Sequence, residues 1–339
     1  MIRNKFPFVI IPIFLVVVLL ATTLISGCAS EPAGPIEISY VTLLPKTQAS
    51  MYVNFPAMDK IEEKSNGRII FVNRGAGEAI PQNEQAPSVQ RGVVDAAWTA
   101  TDLYASVVPG AAMISLAEIS AYEDRNTGAY DLLVEMHEKA GLRFICREAS
   151  PPGQSFAMMV NKKVNTPQEL AGLKMVGFGI WDRVAASLGM SPVNVAFEEY
   201  YTAMQQGLID AVGSSPSLFA RTNLAEVAGY VVKPPFYSIT LAFIMNLDKW
   251  NSIPKDLQTL IIDTMFEEAP QIEDDLIAEN NVAFNKIIDT GAELIEFTGA
   301  DAEWYLGQLN GAAYEFWSEK APVDGPKLYQ LLQKEALNK

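Results

Sequence analysis

The strongest constraint on how this chain folds is a phrase that it uses twice. Ser88-Val89-Gln90-Arg91-Gly92-Val93-Val94-Asp95-Ala96 returns as Ala203-Met204-Gln205-Gln206-Gly207-Leu208-Ile209-Asp210-Ala211. In each copy a helical stretch runs into a glycine, which ends helices readily because it enters the left-handed region without steric penalty. Two apolar residues then lead to Asp-Ala and a strand-like run. Either common helix–glycine–strand grammar recurs by chance, or the chain carries two equivalent α/β lobes. On the second reading a hydroxyl stands four residues beyond each aspartate, Thr99 in one copy and Ser214 in the other. Ligands of open α/β sheets bind at strand carboxyl ends, and pockets favour domain interfaces. Thr99 and Ser214 are therefore candidate ligand contacts from opposite lobes.

The wider pattern agrees. Strand candidates at 36–43, 68–73, 93–99, 142–146 and 155–161 alternate with helical segments near 50–65, 84–91 and 127–140. This is the order of an α/β domain with mixed or parallel sheets. From Pro254 the chain reads as mostly helical to the end, broken near Pro270, Gly291, Gly299 and Pro322-Val323-Asp324-Gly325-Pro326. With 339 residues there is enough chain for two cores.

The N-terminus gives the compartment. Arg3 and Lys5 precede an apolar run from Phe6 to Ile25, followed by Ile25-Ser26-Gly27-Cys28. A charged start, an apolar stretch and small residues before a break are signal-peptide grammar; an uncleaved transmembrane anchor is the other reading of the run. The Ile-Ser-Gly-Cys block resembles the bacterial lipobox, which implies cleavage before Cys28 and lipidation of that cysteine. Several acyl chains hold a protein at a membrane where one would be marginal. Either reading places the rest of the chain outside the cytoplasm. Without residues 1–27 the chain has 312 residues and a net charge of −17, from 23 basic against 40 acidic side chains. That field opposes nucleic acid, and one histidine with two cysteines is too small a ligand set for structural zinc. Cys146 then has no partner for an internal disulfide and reads as a buried apolar thiol.

Several ordered pieces carry a family resemblance: Glu63-Lys64-Ser65-Asn66-Gly67-Arg68, Arg91-Gly92-Val93-Val94-Asp95, Thr166-Pro167-Gln168-Glu169-Leu170-Ala171-Gly172-Leu173-Lys174, Leu188-Gly189-Met190-Ser191-Pro192-Val193, and Phe197-Glu198-Glu199-Tyr200-Tyr201-Thr202-Ala203-Met204-Gln205-Gln206-Gly207. In this order they resemble the DctP-like solute-binding proteins of tripartite ATP-independent periplasmic (TRAP) transporters, over about 36–269. The resemblance implies an α/β, two-lobed periplasmic-binding-protein fold with a ligand cleft between the lobes and a helical C-terminal third. The expected division is 1–27 signal peptide, 28–36 lipidated tether, 37–153 mainly lobe 1, 154–246 mainly lobe 2, and 247–339 bracing both. It implies a receptor that closes over a small organic acid and delivers it to a cation-coupled permease, with no cofactor, metal or catalysis.

That family usually grips the acid's carboxylate with an arginine just after the Gly-Leu-Lys turn, and some members add a second twenty residues earlier. Here those positions are Val176 and Phe156. Either another cation substitutes, with Arg74, Arg183 and the helix start after Gly177-Phe178-Gly179 as candidates, or the ligand has an apolar or aromatic body packed by Phe156, Val176, Trp181 and Phe197. Glu78, in the loop Gly75-Ala76-Gly77-Glu78, is a further candidate contact, or else an ordinary helix-start carboxylate. An enzyme needs an acid/base or nucleophile constellation. His137 reads as a solvated helix-face residue, Cys146 has no histidine motif beside it, and Glu267-Glu268 with Asp274-Asp275 read as a solvated helix face. A carboxylate-based hydrolase and an ABC-transporter substrate-binding lipoprotein are the alternatives; the latter shares the two-lobed plan without this order of motifs.

Overall fold

A computed structural model describes residues 34–47, 51, 53–152, 156–177, 179–237 and 239–338. Cys28, the apolar run before it and Phe178 lie outside the described residues. In the first lobe, β1 (Ile36–Thr42) is followed by α1 (Phe55–Lys64), which buries Ala57, Met58 and Ile61. Asn66 and Gly67, both at positive φ, turn the chain into β2 (Ile69–Asn73). Then come α2 (Gln85–Gln90), β3 (Ala96–Ala100), the single turn α3 (Asp124–Thr127), α4 (Ala129–Glu138) and β4 (Leu142–Arg147).

The chain then crosses to a second sheet through β5 (Phe156–Val160), β6 (Lys174–Val176), α5 (Ile180–Ser187), β7 (Ser191–Val193), α6 (Tyr200–Gln205), β8 (Ala211–Ser214), α7 (Pro216–Thr222), α8 (Ala225–Ala228) and β9 (Tyr230–Phe236). It returns to the first sheet as β10 (Leu241–Asn246) and continues through α9 (Leu247–Ser252) into α10 (Lys255–Asp289). β11 (Glu293–Glu296), α11 (Ala300–Lys320) and α12 (Asp324–Leu331) complete it.

The sheets run β2-β1-β3-β10-β4 and β11-β9-β5-β8-β6-β7. Each mixes parallel pairs (β1 with β3, β6 with β8) and antiparallel ones (β3 with β10, β5 with β8). The division expected at residue 246 thus falls after a strand of the first sheet, and β11, from the expected bracing segment, joins the second. β10 pairs antiparallel with β3 and β4 of the first sheet, not with β9, its neighbour in sequence.

The repeated phrase is a structural equivalence. α2 and α6 each end before a left-handed glycine, Gly92 at φ 73° and Gly207 at φ 70°. Each aspartate then ties its strand to the neighbouring parallel one. Asp95 accepts from the Ser39 amide (2.8 Å) and hydroxyl (2.6 Å) on β1, and Asp210 accepts from the Lys174 amide (3.0 Å) on β6. The aspartates are conformational clamps between parallel strands.

Aromatic packing fills the first core, with Trp98 stacked on Phe243 at 5.0 Å and Tyr40 edge-on to Phe71. His137 is wholly buried there rather than solvated: its Nδ1 lies 2.6 Å from the Leu133 carbonyl and its Nε2 2.9 Å from the Tyr104 hydroxyl. Burial disfavours the imidazolium and lowers its pKa to about 4. The charged neighbours in sequence occupy other faces of α4. Cys146 is a buried free thiol.

The 35-residue α10 is about 50 Å long at 1.5 Å per residue. Its N-terminal half is pinned to lobe 1 by Lys64–Glu267 (2.7 Å), Arg68–Asp256 (2.6 Å), Arg125–Asp263 (3.0 Å) and Lys60–Glu268. The C-terminal half enters the lobe 2 core through Ile287 and Phe284. Glu267 and Glu268 are therefore interlocking charges rather than a free acidic face. Among the described residues no helix is long and apolar enough to cross a membrane.

Candidate functional site

The segments linking the two sheets frame a cavity of about 570 Å³. Glu148, Ser150 and Pro151 line it from the β4–β5 connection, and Ile239 from the β9–β10 connection. Leu43, Leu44 and Gln82 come from lobe 1; Phe156, Phe197, Tyr200, Ser214 and Arg221 from lobe 2; Leu276, Glu279 and Asn280 from α10. Both lobes and both crossings therefore contribute, so a change in lobe angle reshapes the cavity.

Of the residues singled out from sequence, Phe156, Phe197 and Ser214 line this cavity. Phe197 is 39% exposed and edge-on to Tyr200, an aromatic face turned to an open space. Trp181 sits behind the wall: it is buried, stacks on Phe156 at 5.6 Å and 12°, and meets Tyr237 edge-on. Gly213 makes room for it, since a Cβ there would approach the indole and Met175 to 3.0 Å. Val176 is buried in the lobe 2 core beside Val195 and Tyr200, which do line the cavity, so it supports the wall from beneath.

The remaining candidates are placed elsewhere. Thr99 is buried in β3 with its hydroxyl unpartnered, outside the lining, so the equivalence with Ser214 holds for the backbone and not for the cleft. Glu78 folds back on its own loop, Oε1 accepting from the Ala76 amide at 3.0 Å. Arg74 is exposed and outside the lining. Arg183 pairs with Glu319 on α11 at 3.0 Å, an interhelix contact. Among the described residues, neither Gly177 nor Gly179 lines the cavity.

Three charged residues that pattern reading passed over do line it: Arg221, Glu148 and, on α10, Glu279. Arg221, in the last turn of α7, is its one cation among the described residues. Glu148 is 4% exposed; its Oε1 accepts from Asn54 Nδ2 (3.3 Å) and its Oε2 from the Ser150 hydroxyl (2.8 Å). Desolvation outweighs both bonds and pushes its pKa up to about 7. Glu148 directly follows Arg147, whose Nε and Nη2 donate to Asp124 at 2.8 and 2.9 Å in a fully buried pair. The β9–β10 crossing is anchored as well. Tyr237, at φ 38°, donates to Asp102 of lobe 1 at 2.7 Å and accepts from Trp317 Nε1 of α11 at 3.0 Å. No group of three or more metal-ligating side chains occurs among the described residues.

The profile of bacterial extracellular solute-binding proteins, family 7 (DctP), matches residues 52–310. The chain belongs to this family. It is an extracytoplasmic substrate-binding protein of the TRAP type, a receptor rather than an enzyme. It is 24% identical over 295 residues to the monocarboxylate 2-oxoacid-binding periplasmic protein of Nostoc sp. PCC 7120, covering 82% of this chain and 80% of the relative. It is 27% identical over 151 residues to the C4-dicarboxylate-binding protein DctP of Rhodobacter capsulatus, covering 43% and 45%. Among solved structures it resembles a TRAP solute-binding protein of Desulfovibrio salexigens with bound orotic acid, at TM-score 0.76 and 20% identity, covering 89% of this chain and 99% of that one. A marine metagenome TRAP protein with bound pyroglutamate gives TM-score 0.70 at 17% identity, covering 88% and 99%. These similarities carry the two-lobed fold.

Proposed function

We propose that this receptor binds a small organic acid with an apolar body, gripping its carboxylate with Arg221, and hands it to a cation-coupled TRAP permease. The observation that carries the reading is the placement of Arg221, a guanidinium facing a cavity whose walls are largely apolar. A guanidinium fork suits a carboxylate because two parallel charge-assisted bonds form at once. The ligands named for the relatives, a 2-oxoacid, orotic acid and pyroglutamate, share a carboxylate on a compact body, which supports this class. Residues 37–153 with β10 serve as lobe 1 and 154–236 with β11 as lobe 2, while α10 and α11 brace both. Closure follows from better ligand contacts in the closed state.

The test is a thermal-shift screen of residues 29–339 against aliphatic, aromatic and branched acids and uncharged metabolites. A ligand at 100 times its dissociation constant adds about 2.7 kcal/mol, a rise of several degrees. Arg221→Met is expected to weaken every acid hit about tenfold, as loss of a charge-assisted bond at an open site does. Ser214→Ala is expected to weaken it by about 0.5–1.5 kcal/mol. Hits confined to uncharged compounds, or an Arg221→Met protein with unchanged affinity, would remove the carboxylate grip.

The receptor is also proposed to be a lipoprotein anchored through Cys28, on the signal-peptide grammar and the lipobox-like block before it. Cys28→Ala is expected to end incorporation of labelled fatty acid and to release the protein from the membrane fraction. Continued labelling would place the anchor elsewhere.

A further inference from the structure

Glu148 is a buried carboxylate on the wall of a ligand cavity, and among the described residues no cation pairs with it. Arg221, an exposed residue, lines the same cavity and makes no ion pair with a carboxylate among the described residues. Glu279, half-buried on α10, adds a second negative group to the lining. Buried charges are normally met by a partner of opposite sign, because desolvation is otherwise uncompensated. Glu148 is the buried one of the three, so its counter-charge is left to the cavity's occupant, while Arg221, exposed to solvent, offers that occupant a second pole.

We propose that the cavity selects a zwitterion, an amino acid with an apolar side chain, whose carboxylate meets Arg221 and whose protonated amine meets Glu148. The proposal rests on the carboxylate grip by Arg221 described above and adds the opposite pole. A plain monocarboxylate neutralises Arg221 but leaves Glu148 and Glu279 unmet. A zwitterion meets charges of both signs. The bonding around Glu148 points the same way: Asn54 Nδ2 donates to one oxygen and the Ser150 hydroxyl to the other, the arrangement that suits an ionised carboxylate. Each oxygen keeps a further lone pair for an ammonium group. Leu218, Phe156, Phe197 and Leu276 supply apolar surface for the side chain. An ammonium beside Glu148 also holds its carboxyl ionised, opposing the burial that raises it.

The experiment is calorimetric titration of the full-length protein in detergent at pH 7.5. The probes are the twenty standard L-amino acids, their 2-oxo and 2-hydroxy counterparts, and simple mono- and dicarboxylates. At least one apolar amino acid is expected to bind roughly 10- to 100-fold tighter than its 2-oxo counterpart, the range of one hydrogen bond to a charged group. Glu148→Gln is expected to erase that preference from both sides, weakening the amino acid, which loses its ammonium partner, and tightening the 2-oxo acid, which loses a like charge beside it; Arg221→Met is expected to weaken both. Thermal unfolding shows that each variant is folded. If 2-oxo, 2-hydroxy or simple acids bind as tightly as the amino acids, or if Glu148→Gln keeps the preference, the zwitterion proposal falls and the organic-acid receptor stands. If no acid of any set binds, both fall.

Discussion

Asp124→Asn is expected to remove about 3–5 kcal/mol of folding free energy, the usual loss when one member of a buried ion pair is neutralised. The side chains of Asp124 and Arg147 are 1% and 2% exposed, and two parallel bonds join them. Arg147 Nη2 also donates to the Ile119 carbonyl at 2.9 Å. Burial raises the pKa of Asp124 even with the guanidinium beside it, so desolvation is the larger effect at this site. The pair therefore contributes little net stability over an apolar pair of similar shape, yet removing one charge strands the other. Asparagine leaves the guanidinium buried and uncompensated. The midpoint of thermal unfolding should fall by roughly 10 °C. Asp124→Leu combined with Arg147→Met is expected to recover most of the loss, short of about 1 kcal/mol for the orphaned Ile119 carbonyl. A double variant no more stable than Asp124→Asn alone would show that the pair itself stabilises the fold. Since Glu148 follows Arg147 directly, the same cycle measured with ligand tests whether the pair also positions the cavity wall.

Backbone grammar was legible in the sequence because it is local. The Gly92 and Gly207 turns and most strand positions follow from spacing alone, whereas the clamping role of Asp95 and Asp210 rests on partners in other strands and shows only in the structure. What lies across space was not. Thr99 and Ser214 stand at the same spacing from their aspartates, yet Ser214 is the last residue of β8 while Thr99 is still inside β3 and buried there, and only Ser214 lines the cavity. The arginine expected at Val176 has no counterpart at that strand, and the charge facing the cavity comes from Arg221, a helix away and in no recognisable motif. The one local signal for Glu148 is Glu148-Ala149-Ser150-Pro151-Pro152, a lone carboxylate between an apolar strand and a turn, but its burial depends on Asn54 and on the returning strand β10. His137 misled for the same reason. Three charged neighbours in sequence describe the helix surface, while the one face they leave is covered by Tyr104 and Phe144.

Glu148→Gln should stabilise the unliganded protein at pH 8 while weakening the zwitterion's grip. Folding moves this carboxyl from an ordinary value of 4.5 up to about 7. Between those values the folded state holds a proton that the unfolded chain has released, so Glu148 opposes folding increasingly as pH rises. A shift of this size is worth roughly 3 kcal/mol once pH exceeds 7 and vanishes below about 4.5. Glutamine retains an acceptor for Asn54 and presents an amide to Ser150 with no charge to desolvate. The variant should therefore be about 2–3 kcal/mol more stable than the parent at pH 8 and equal to it near pH 4. Asp102, raised to about 6, adds a penalty of the same sign at higher pH, and His137, lowered to about 4, destabilises the fold as pH falls through 6.5. Both are common to parent and variant, so they cancel in the difference. Denaturant unfolding of the two proteins from pH 4 to 8 measures it directly. A flat difference would mean that Glu148 is already compensated without ligand, and with it would go the physical reason for an ammonium group in the cavity.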